Sequence, residues 1–438
     1  MTPLDPTRLI IAAIAGIALL LVLIIRFRWQ AMIAILVGAV AIGLGAGMPF
    51  EQIVASVNDG MGNTLEGIAL LVGLGSMFGA ILEISGGAQT LAVSMVNRFG
   101  DKKAAWALGI TGLVIAMPVF FDAGLIILIP LAFSLAKRTA RSSLYYAIPL
   151  LAGLAVGHAF IPPTPGPVLV ATMLGVDLGW VIVVGLVCGF FAMVVAGPVW
   201  GAYCGKKYYI PVPEHVAAQP DIDTSKLPSF ATVVLIILIP LVLIILKSIA
   251  GVVDAMAQMR PVINFLGEPF MALLGYRNGY SSKELERVMT KSLEPVGLIL
   301  LVTACGGVLR YILQYSGLGE IIGGAVASAS LPMVVVAFVV AALVRISVGS
   351  ATVAMTMAAG IIAAMPEVAE LSPLHLACVT AAVAGGATVC SHFNDSGFWL
   401  VKTLVGMDEK TTLRTWTIME TLVGGTGFVV ALVISAFA

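Results

Sequence analysis

Residues 161–167 read IPPTPGP and interrupt an apolar run that extends from 144 to 176. A proline has no backbone N–H to donate and its ring clashes with the preceding turn, so this stretch cannot continue a helix. The flanking run has the length and apolarity of a bilayer-spanning segment, which predicts a helix broken near mid-membrane. Backbone without helical hydrogen bonds is tolerated at that depth only inside protein or beside a water-filled cavity. The break is therefore a candidate binding site.

A second apolar run, 374–405, is broken in a similar way by CSHFNDSG at residues 390–397. Broken helices whose ends meet near the bilayer midplane are typical of secondary transporters, which bind their substrates there. The ends of such half-helices present unpaired N–H groups to an anion. Two breaks of this kind favour a carrier of small anions.

Composition indicates the same class of protein. Of the 438 residues, 60% are hydrophobic and only 11% are charged, which is too little charge to cover a soluble chain of this length. The formal net charge is +0, so no general affinity for nucleic acid is expected. The apolar runs predict lipid-contacting membrane spans at 8–25, 29–47, 65–83, 180–203, 229–248, 296–314 and 415–437.

Two more apolar stretches, 104–137 and 332–365, are interrupted by PVFFDAG at 118–124 and by RISVGSAT at 345–352. Each arm has about 14 residues, or about 21 Å of helix, which is short of the roughly 30 Å hydrocarbon core. The arm lengths predict two re-entrant helical hairpins, each of which enters and leaves on one side of the membrane.

An internal repeat relates the two halves of the chain. At one constant offset, segment 81–86 is similar to 312–317, segment 172–177 is similar to 403–408, and the two hairpins coincide. Matches between small residues are weak singly, but several at one offset indicate a duplicated unit. The two predicted hairpins would open to opposite sides of the membrane. The predicted repeats are therefore inverted relative to each other.

The predicted fold is all-α integral membrane, with two inverted repeats at 1–203 and 229–438 and a cytoplasmic linker at 204–228. Each repeat has one re-entrant hairpin and one broken helix. The segment 261–275, which corresponds to the span at 29–47, contains prolines and is too short to cross comfortably. The basic residues fall mostly on the cytoplasmic side of this topology, as the positive-inside rule requires. The exceptions outside the membrane are Arg8, Lys247 and Arg260.

Other functional classes fit the sequence poorly. The five cysteines are an odd number without metal-ligand spacing, which predicts buried reduced thiols and no metal site. Ser391 and His392 are adjacent, but neighbours in sequence cannot form a usable nucleophile–base pair on a helix, and no Gly-x-Ser-x-Gly elbow occurs. Neither an enzyme nor a channel is expected, and no cofactor is needed.

Two ionisable residues stand out at the predicted hairpin tips. Asp122 is a candidate proton carrier, because an ionisable group at mid-membrane is costly and usually functional; the alternative is a helix cap. Arg345 can grip a carboxylate with its planar guanidinium, and the alternative is a structural ion pair with Glu83 or Glu294. Arg310 lies in a regular span and is interpreted as structural.

The remaining candidates are polar or small residues at the four interruptions. Hydroxyls and free amides at a hairpin tip suit an oxyanion, and amide or carboxylate side chains can bind the hydroxyls of a polyol acid. A histidine there can also carry a proton. The predicted substrate-binding residues, besides Arg345, are Ser347, Gly349, Ser350, Thr352, Thr164, Gly166, Ser391, His392, Asn394 and Asp395. The predicted proton-coupling residues are Asp122, His158 and His392.

At these same segments the chain resembles the gluconate permease family of gluconate:proton symporters, within the wider ion transporter superfamily. The resemblance covers nearly the whole chain and is strongest at 120–130, 158–167, 345–354 and 391–400. It implies proton-coupled uptake of a hydroxylated monocarboxylate across the inner membrane by a homodimer, with an elevator-type motion.

The exact substrate stays open, because Asp122 and Thr164 depart from the residues of close gluconate carriers. Gluconate, another aldonate, a uronate, glycerate and D-serine all fit. A sodium-coupled carboxylate carrier of the same architecture is the alternative, since carbonyls and hydroxyls at the hairpin tips can also hold sodium.

Overall fold

The computed structural model describes residues 6–213, 227–252, 281–328 and 331–438. Throughout these residues the regular elements are helices, and no strand occurs among them, which confirms the all-α prediction. The helices before residue 214 are α1 (Pro6–Ile25), α2 (Ala31–Ala46), α3 (Phe50–Ile84), α4 (Gly87–Phe99), α5 (Ala104–Ile115), α6 (Phe121–Thr139), α7 (Leu144–Phe160), α8 (Pro165–Leu174) and α9 (Leu178–Lys207). The later helices are α10 (Phe230–Val252), α11 (Ser282–Tyr315), α12 (Leu318–Ser328), α13 (Met333–Val348), α14 (Ala351–Ala363), α15 (Pro373–Gly386), α16 (Ser396–Val405) and α17 (Glu409–Ser435).

Within the described residues, six helical segments are long and apolar enough to cross a bilayer. They are Pro6–Ile25, Phe50–Ile84, Leu144–Leu174, Leu178–Lys207, Lys283–Tyr315 and Glu409–Ser435. The chain is therefore a multi-pass membrane protein, as its composition predicts.

Two predicted spans lie within longer helices. The predictions at 65–83 and 296–314 correspond to α3 and α11, which begin at Phe50 and Ser282. Polar residues such as Asn58 and Asp59 continue α3, because a helix that extends beyond the lipid core can carry them in water. A capping box of Ser281 and Glu284 fixes the start of α11. With 35 residues, α3 is about 52 Å long.

α3 and α11 cross in close contact through small residues. A Cβ added to Gly60 would lie 2.6 Å from the backbone nitrogen of Val308, and one added to Gly307 would collide with the Gly60 carbonyl oxygen. Larger side chains would separate the two backbones, so these glycines permit the contact. The two longest helices therefore form one paired unit.

The helices end at all four predicted interruptions. α5 and α6 are separated by residues 116–120, and α13 and α14 by residues 349–350. The breaks in the long runs separate α7 from α8 and α15 from α16. Asp122 and Arg345 do not lie in the connecting loops as expected, because Asp122 belongs to the first turn of α6 and Arg345 to the last turn of α13.

Helix boundaries recur at the offset found in the sequence. By that offset, α16 begins and ends at the positions equivalent to those of α8, and α12 begins at the position equivalent to the start of α4. Gly175 and Gly406, which are also equivalent, both end their helices in the left-handed conformation, with φ of 70° and 73°. Shortly after them, the carboxylates of Asp177 and Asp408 cap the next helices. The two halves therefore share local structure as well as sequence.

The predicted linker at 204–228 begins inside a helix, because α9 continues to Lys207. Residues 208–213 then return to the body of the protein, where the Ile210 carbonyl accepts a hydrogen bond from the Ser143 amide. The rest of the linker from 214 to 226, the segment 261–275 and Arg260 lie outside the described residues.

The first broken helix, α7–α8, is the most enclosed of the six membrane segments. In the most apolar part of Leu144–Leu174, 89% of the residues are buried, against 33% in α1. Helix α1 exposes Ile10, Ile11 and Ile14, which suit contact with lipid. The unpaired ends at the first break are thus enclosed by protein, where irregular backbone at membrane depth is tolerated. The second break is more open, since Phe393, Asn394 and Ser396 are exposed.

Candidate functional site

A cavity of about 150 Å³ lies where the breaks in the helices meet. The start of α6, the end of α7 and the starts of α8, α14 and α16 contribute to its wall, together with α13 and α17. Its lining residues are Phe121, Asp122, Ala155, His158, Ala159, Gly166, Arg345, Ala351, Thr352, Met355, Thr388, Asp395, Ser396, Gly397, Trp416 and Glu420.

Arg345 and Asp395 form a buried ion pair in this wall. Nη2 of Arg345 donates to Oδ2 of Asp395 at 2.5 Å, and Nη1 donates to the Gly349 carbonyl. The Arg345 side chain is only 3% exposed. The ion pair expected with Glu83 or Glu294 is therefore not the one that forms. The partner comes instead from the second break, 50 residues away in the chain.

Asp395 is fully engaged by the protein. Its Oδ1 accepts the Gly397 amide at 3.0 Å and so caps α16, while Oδ2 accepts from both Arg345 and the Ser391 hydroxyl. The carboxylate thereby fixes the arginine relative to the start of α16. Both terminal nitrogens of the guanidinium are used, but Nε of Arg345 is buried and has no hydrogen-bond partner among the described residues. This N–H is thus unused within the described residues.

A second layer of hydrogen bonds supports the pair from α17. The indole Nε1 of Trp416 donates to the Ser391 hydroxyl at 2.7 Å, and the Thr417 hydroxyl donates to the Ser391 carbonyl at 2.5 Å. Trp416 and Thr417 belong to a π-helical turn, Leu413–Thr417. Such turns often occur at functional sites, because the extra residue changes the direction of the side chains. Ser391 is therefore a support for Asp395 and does not line the cavity.

Asp122 faces the cavity from the first turn of α6, close to the positive end of the helix dipole. No backbone amide in the described part of the chain donates to its carboxylate, so the capping alternative is not observed. Phe121 beside it packs on Trp416, with ring centroids 5.6 Å apart. The carboxyl is therefore open to whatever occupies the cavity.

His158 lines the cavity from the last turn of α7. Its Nδ1 is buried and lacks a hydrogen-bond partner within the described residues, and its ring lies 6.2 Å from that of Phe120. His392 does not line the cavity, and its Nδ1 lies 2.8 Å from the Cys390 carbonyl. Only the first of the two predicted histidines is thus placed beside Asp122 and Arg345.

The cavity brings together part of the predicted set. Asp122, His158, Gly166, Arg345, Thr352 and Asp395 line it, whereas Thr164, Ser347, Gly349, Ser350, Ser391, His392 and Asn394 do not.

Several of the outlying hydroxyls and amides bond to nearby backbone. Ser350 caps α14 by accepting the Val353 amide, and the Thr164 hydroxyl donates to the Ile161 carbonyl at 2.6 Å. The Asn394 amide donates to the Ile346 carbonyl at 2.9 Å, which ties the second break to the hairpin.

The cavity wall also contains Glu420, Trp416, Ser396 and Gly397, which are not among the residues predicted from the sequence. Glu420 is only 5% exposed, and its Oε1 has no hydrogen-bond partner among the described residues. The signal that could have found it is the one applied to Asp122, an ionisable residue within an apolar run.

The charged groups of the cavity do not balance. One guanidinium, Arg345, faces three carboxyl groups, those of Asp122, Asp395 and Glu420, so the net charge is −2 when all are ionised. An entering anion would be repelled strongly, because charges at short range in a medium of low dielectric constant interact by several kcal/mol. No cluster of three or more metal-ligating side chains occurs within the described residues.

Comparison with known proteins identifies what the chain is similar to. The model of the GntP family permease matches residues 7–437. The low-affinity gluconate transporter of Escherichia coli K12 is 38% identical over 436 residues, covering 97% of this chain and 98% of the relative. A gluconate permease of Pseudomonas aeruginosa is 36% identical over 445 residues, with 98% and 97% covered. The Gnt-II system L-idonate transporter of Escherichia coli K12 is 34% identical over 433 residues, with 96% and 98% covered.

Among solved structures, the YdaH transporter of Alcanivorax borkumensis has a similar fold. The TM-score is 0.56 at 15% sequence identity, and the match covers 89% of each chain.

Proposed function

Because the chain belongs to the GntP permease family, whose relatives are transporters rather than enzymes, we propose that it takes up gluconate or a related sugar acid together with protons. The observation that carries the proposal is the cavity in which Arg345 faces three carboxyl groups. The relatives named for gluconate and idonate support a hydroxylated monocarboxylate as the substrate, because both anions have one carboxylate and several hydroxyls.

Arg345 would bind the substrate carboxylate through the free N–H of Nε. Its geometry is already held by Asp395 and Gly349, so little conformational freedom would be lost on binding. Thr352 and Ser396 line the same cavity and would meet hydroxyl groups of the acid. Asp395 would act by positioning the arginine, which replaces the expectation that it contacts substrate hydroxyls.

Proton coupling follows from the charge imbalance. Since the Arg345–Asp395 pair is neutral as a unit, an ionised Asp122 would oppose an anion in the same cavity. Protonation of Asp122 removes that repulsion, so the anion and the proton would bind together and leave together. His158, with Nδ1 unpartnered among the described residues, is the group beside it through which a proton would pass.

Alternating access would use the two inverted repeats, with the hairpins α5–α6 and α13–α14 re-entrant. The 12 residues of α5 support this, since they form about 18 Å of helix. A second cavity of about 390 Å³ lies beyond the first hairpin, lined by Pro118–Phe120, Glu83 and Lys291. In the positive-inside orientation it would open to the cytoplasm. The tip of the first hairpin would then lie between the two cavities. An elevator-type motion would open the site to each side of the membrane in turn.

Assembly and location follow the family. We propose an inner-membrane homodimer in which the paired helices α3 and α11 belong to the static part, with lipid around the exposed apolar helices. The names of the relatives lend no support to the sodium-coupled alternative.

Uptake of labelled gluconate into proteoliposomes tests the proposal. With an inside-alkaline pH gradient and no sodium, we expect accumulation that collapses when a protonophore is added. Accumulation that depends on sodium and ignores the protonophore would contradict it. Competition by idonate, glucuronate, glycerate and D-serine would then rank the acids that the cavity accepts.

A further inference from the structure

Glu420 is the cavity residue to which the proposed function gives no role. It lies on α17, a helix long and apolar enough to cross a bilayer, and its Oε1 is buried without a hydrogen-bond partner in the described residues. An ionised carboxyl at such a position has lost its hydration without gaining a partner, and this carries a large free-energy cost. A proton on the carboxyl removes most of that cost. Unlike the Asp395 carboxylate, which has three donors, Glu420 has a geometry that suits the neutral form.

The groups that face Glu420 define its electrostatic surroundings. Arg345 on α13 and Asp395 at the start of α16 interact with its charge. Asp122 on α6 and His158 on α7 complete the titratable lining of the cavity. The other helices packed on α17 are α9 and α15, whose buried thiols Cys188 and Cys378 lie outside the cavity lining.

Within the described residues, no hydrogen bond or ion pair neutralises the charge of Glu420. The guanidinium of Arg345 directs its two terminal nitrogens at Asp395 and Gly349 and not at Glu420. A single proton on Asp122 would therefore leave one carboxylate, that of Glu420, facing the substrate anion. Two protons neutralise both carboxyls and leave the neutral ion pair with its free Nε–H to receive the anion.

We propose that Glu420 is a second proton-binding group of the transport cycle, which is protonated when the sugar acid binds and deprotonated when it leaves. This inference rests on the proposed function. It makes the stoichiometry two protons per monocarboxylate, so each cycle moves net positive charge inward and responds to membrane potential as well as to the pH gradient.

The test is the pH dependence of gluconate binding to the purified full-length protein, measured by titration calorimetry. If protons bind with the anion, wild-type affinity falls as pH rises, and the slope of log Kd against pH equals the number of protons taken up. Glu420→Gln replaces the carboxyl by an amide of the same shape that cannot ionise. We expect it to bind gluconate with a slope lower by about one. Glu51→Gln, an exposed glutamate in the first turn of α3, is the matched control and keeps the wild-type slope.

Three results would overturn the inference, and they are distinguishable. A Glu420→Gln variant with the wild-type slope shows that Glu420 does not exchange a proton during binding. Loss of binding in Glu420→Gln that Glu420→Asp also fails to restore shows a structural role. A wild-type protein whose affinity does not change with pH contradicts proton coupling itself, and with it the proposed function, whatever the variant does.

Discussion

The two helix breaks precede equivalent helices but differ in length and in chemistry, since the first comprises residues 161–164 and the second residues 387–395. α8 and α16 occupy equivalent positions in the repeat, and so do the residues that precede them, Thr164 and Asp395. Thr164 bonds within its own turn, to the Ile161 carbonyl. Asp395 instead caps its helix and binds Arg345 on the neighbouring hairpin. The helices that follow the breaks are therefore repeated, whereas the ion pair forms at the second break and not at the first.

The other charged residues of the cavity also occur in one half of the chain without a charged equivalent in the other half. Each has an uncharged residue at the equivalent position of the other half: Val114 for Arg345, Val353 for Asp122 and Gly189 for Glu420. A cavity built from equivalent helices but lined by non-equivalent charged residues suits a ligand whose ends differ, with a carboxylate at one end and hydroxyls along the chain. Substitutions at these positions test the difference between the halves.

The largest effect is expected for Asp395→Asn. Removing one partner of a buried ion pair leaves an uncompensated charge and costs about 3–5 kcal/mol of stability. We expect a marked fall in the thermal unfolding temperature of the purified protein, measured in detergent without ligand. A loss no larger than that of Thr164→Val at the equivalent position would show that the ion pair contributes little.

Arg345→Lys should act mainly on binding. Lysine keeps the positive charge but lacks the planar guanidinium and its Nε–H, so a charge-assisted hydrogen bond worth about 2–3 kcal/mol is lost. We expect gluconate affinity to fall by about 30- to 150-fold in a calorimetric titration. Arg414→Lys, an exposed arginine on α17, is the control and should bind normally. Unchanged affinity in Arg345→Lys would remove Arg345 from the binding site.

Asp122→Asn should uncouple one proton without preventing binding. At a pH difference of one unit, each coupled proton contributes about 1.4 kcal/mol, so accumulation in proteoliposomes should fall about tenfold. Exchange of internal for external gluconate without a gradient should continue, because asparagine resembles the neutral carboxyl. Wild-type accumulation in this variant would exclude Asp122 as a proton carrier.

The smallest effect is expected for Thr164→Val. It removes one neutral hydrogen bond within a turn, which contributes about 0.5–1.5 kcal/mol to stability, and touches nothing in the cavity lining. Gluconate affinity should stay within about twofold of wild type. A large loss of affinity would mean that the first break binds substrate directly, and that the halves differ less than their charges indicate.

The breaks in the helices could be predicted from sequence because proline and clustered polar residues have local consequences. The prolines at 162, 163 and 165 exclude continuous helix whatever surrounds them. Asp122 and Arg345 could be singled out for a similar reason, as ionisable groups in apolar surroundings. The starts of α3 and α11 could not be predicted from the sequence, since polar residues do not show whether a helix ends or only leaves the lipid.

The pairing of side chains could not be predicted, because it depends on tertiary contacts. Arg345 and Asp395 are 50 residues apart and meet only when the second hairpin packs against the second break. Ser391 is predicted to be a substrate ligand from its position in the break, and in the fold its hydroxyl bonds to Asp395 and Trp416. Glu420 is an ionisable residue in an apolar run that no break in the sequence marks, and the cavity shows which other residues it joins.

A structure of the protein with gluconate bound tests the central claim most directly. We expect the carboxylate of gluconate about 3 Å from Nε of Arg345, with the Arg345–Asp395 pair intact. Gluconate bound instead beside Lys291 in the second cavity, with Nε of Arg345 still unpartnered, would contradict it.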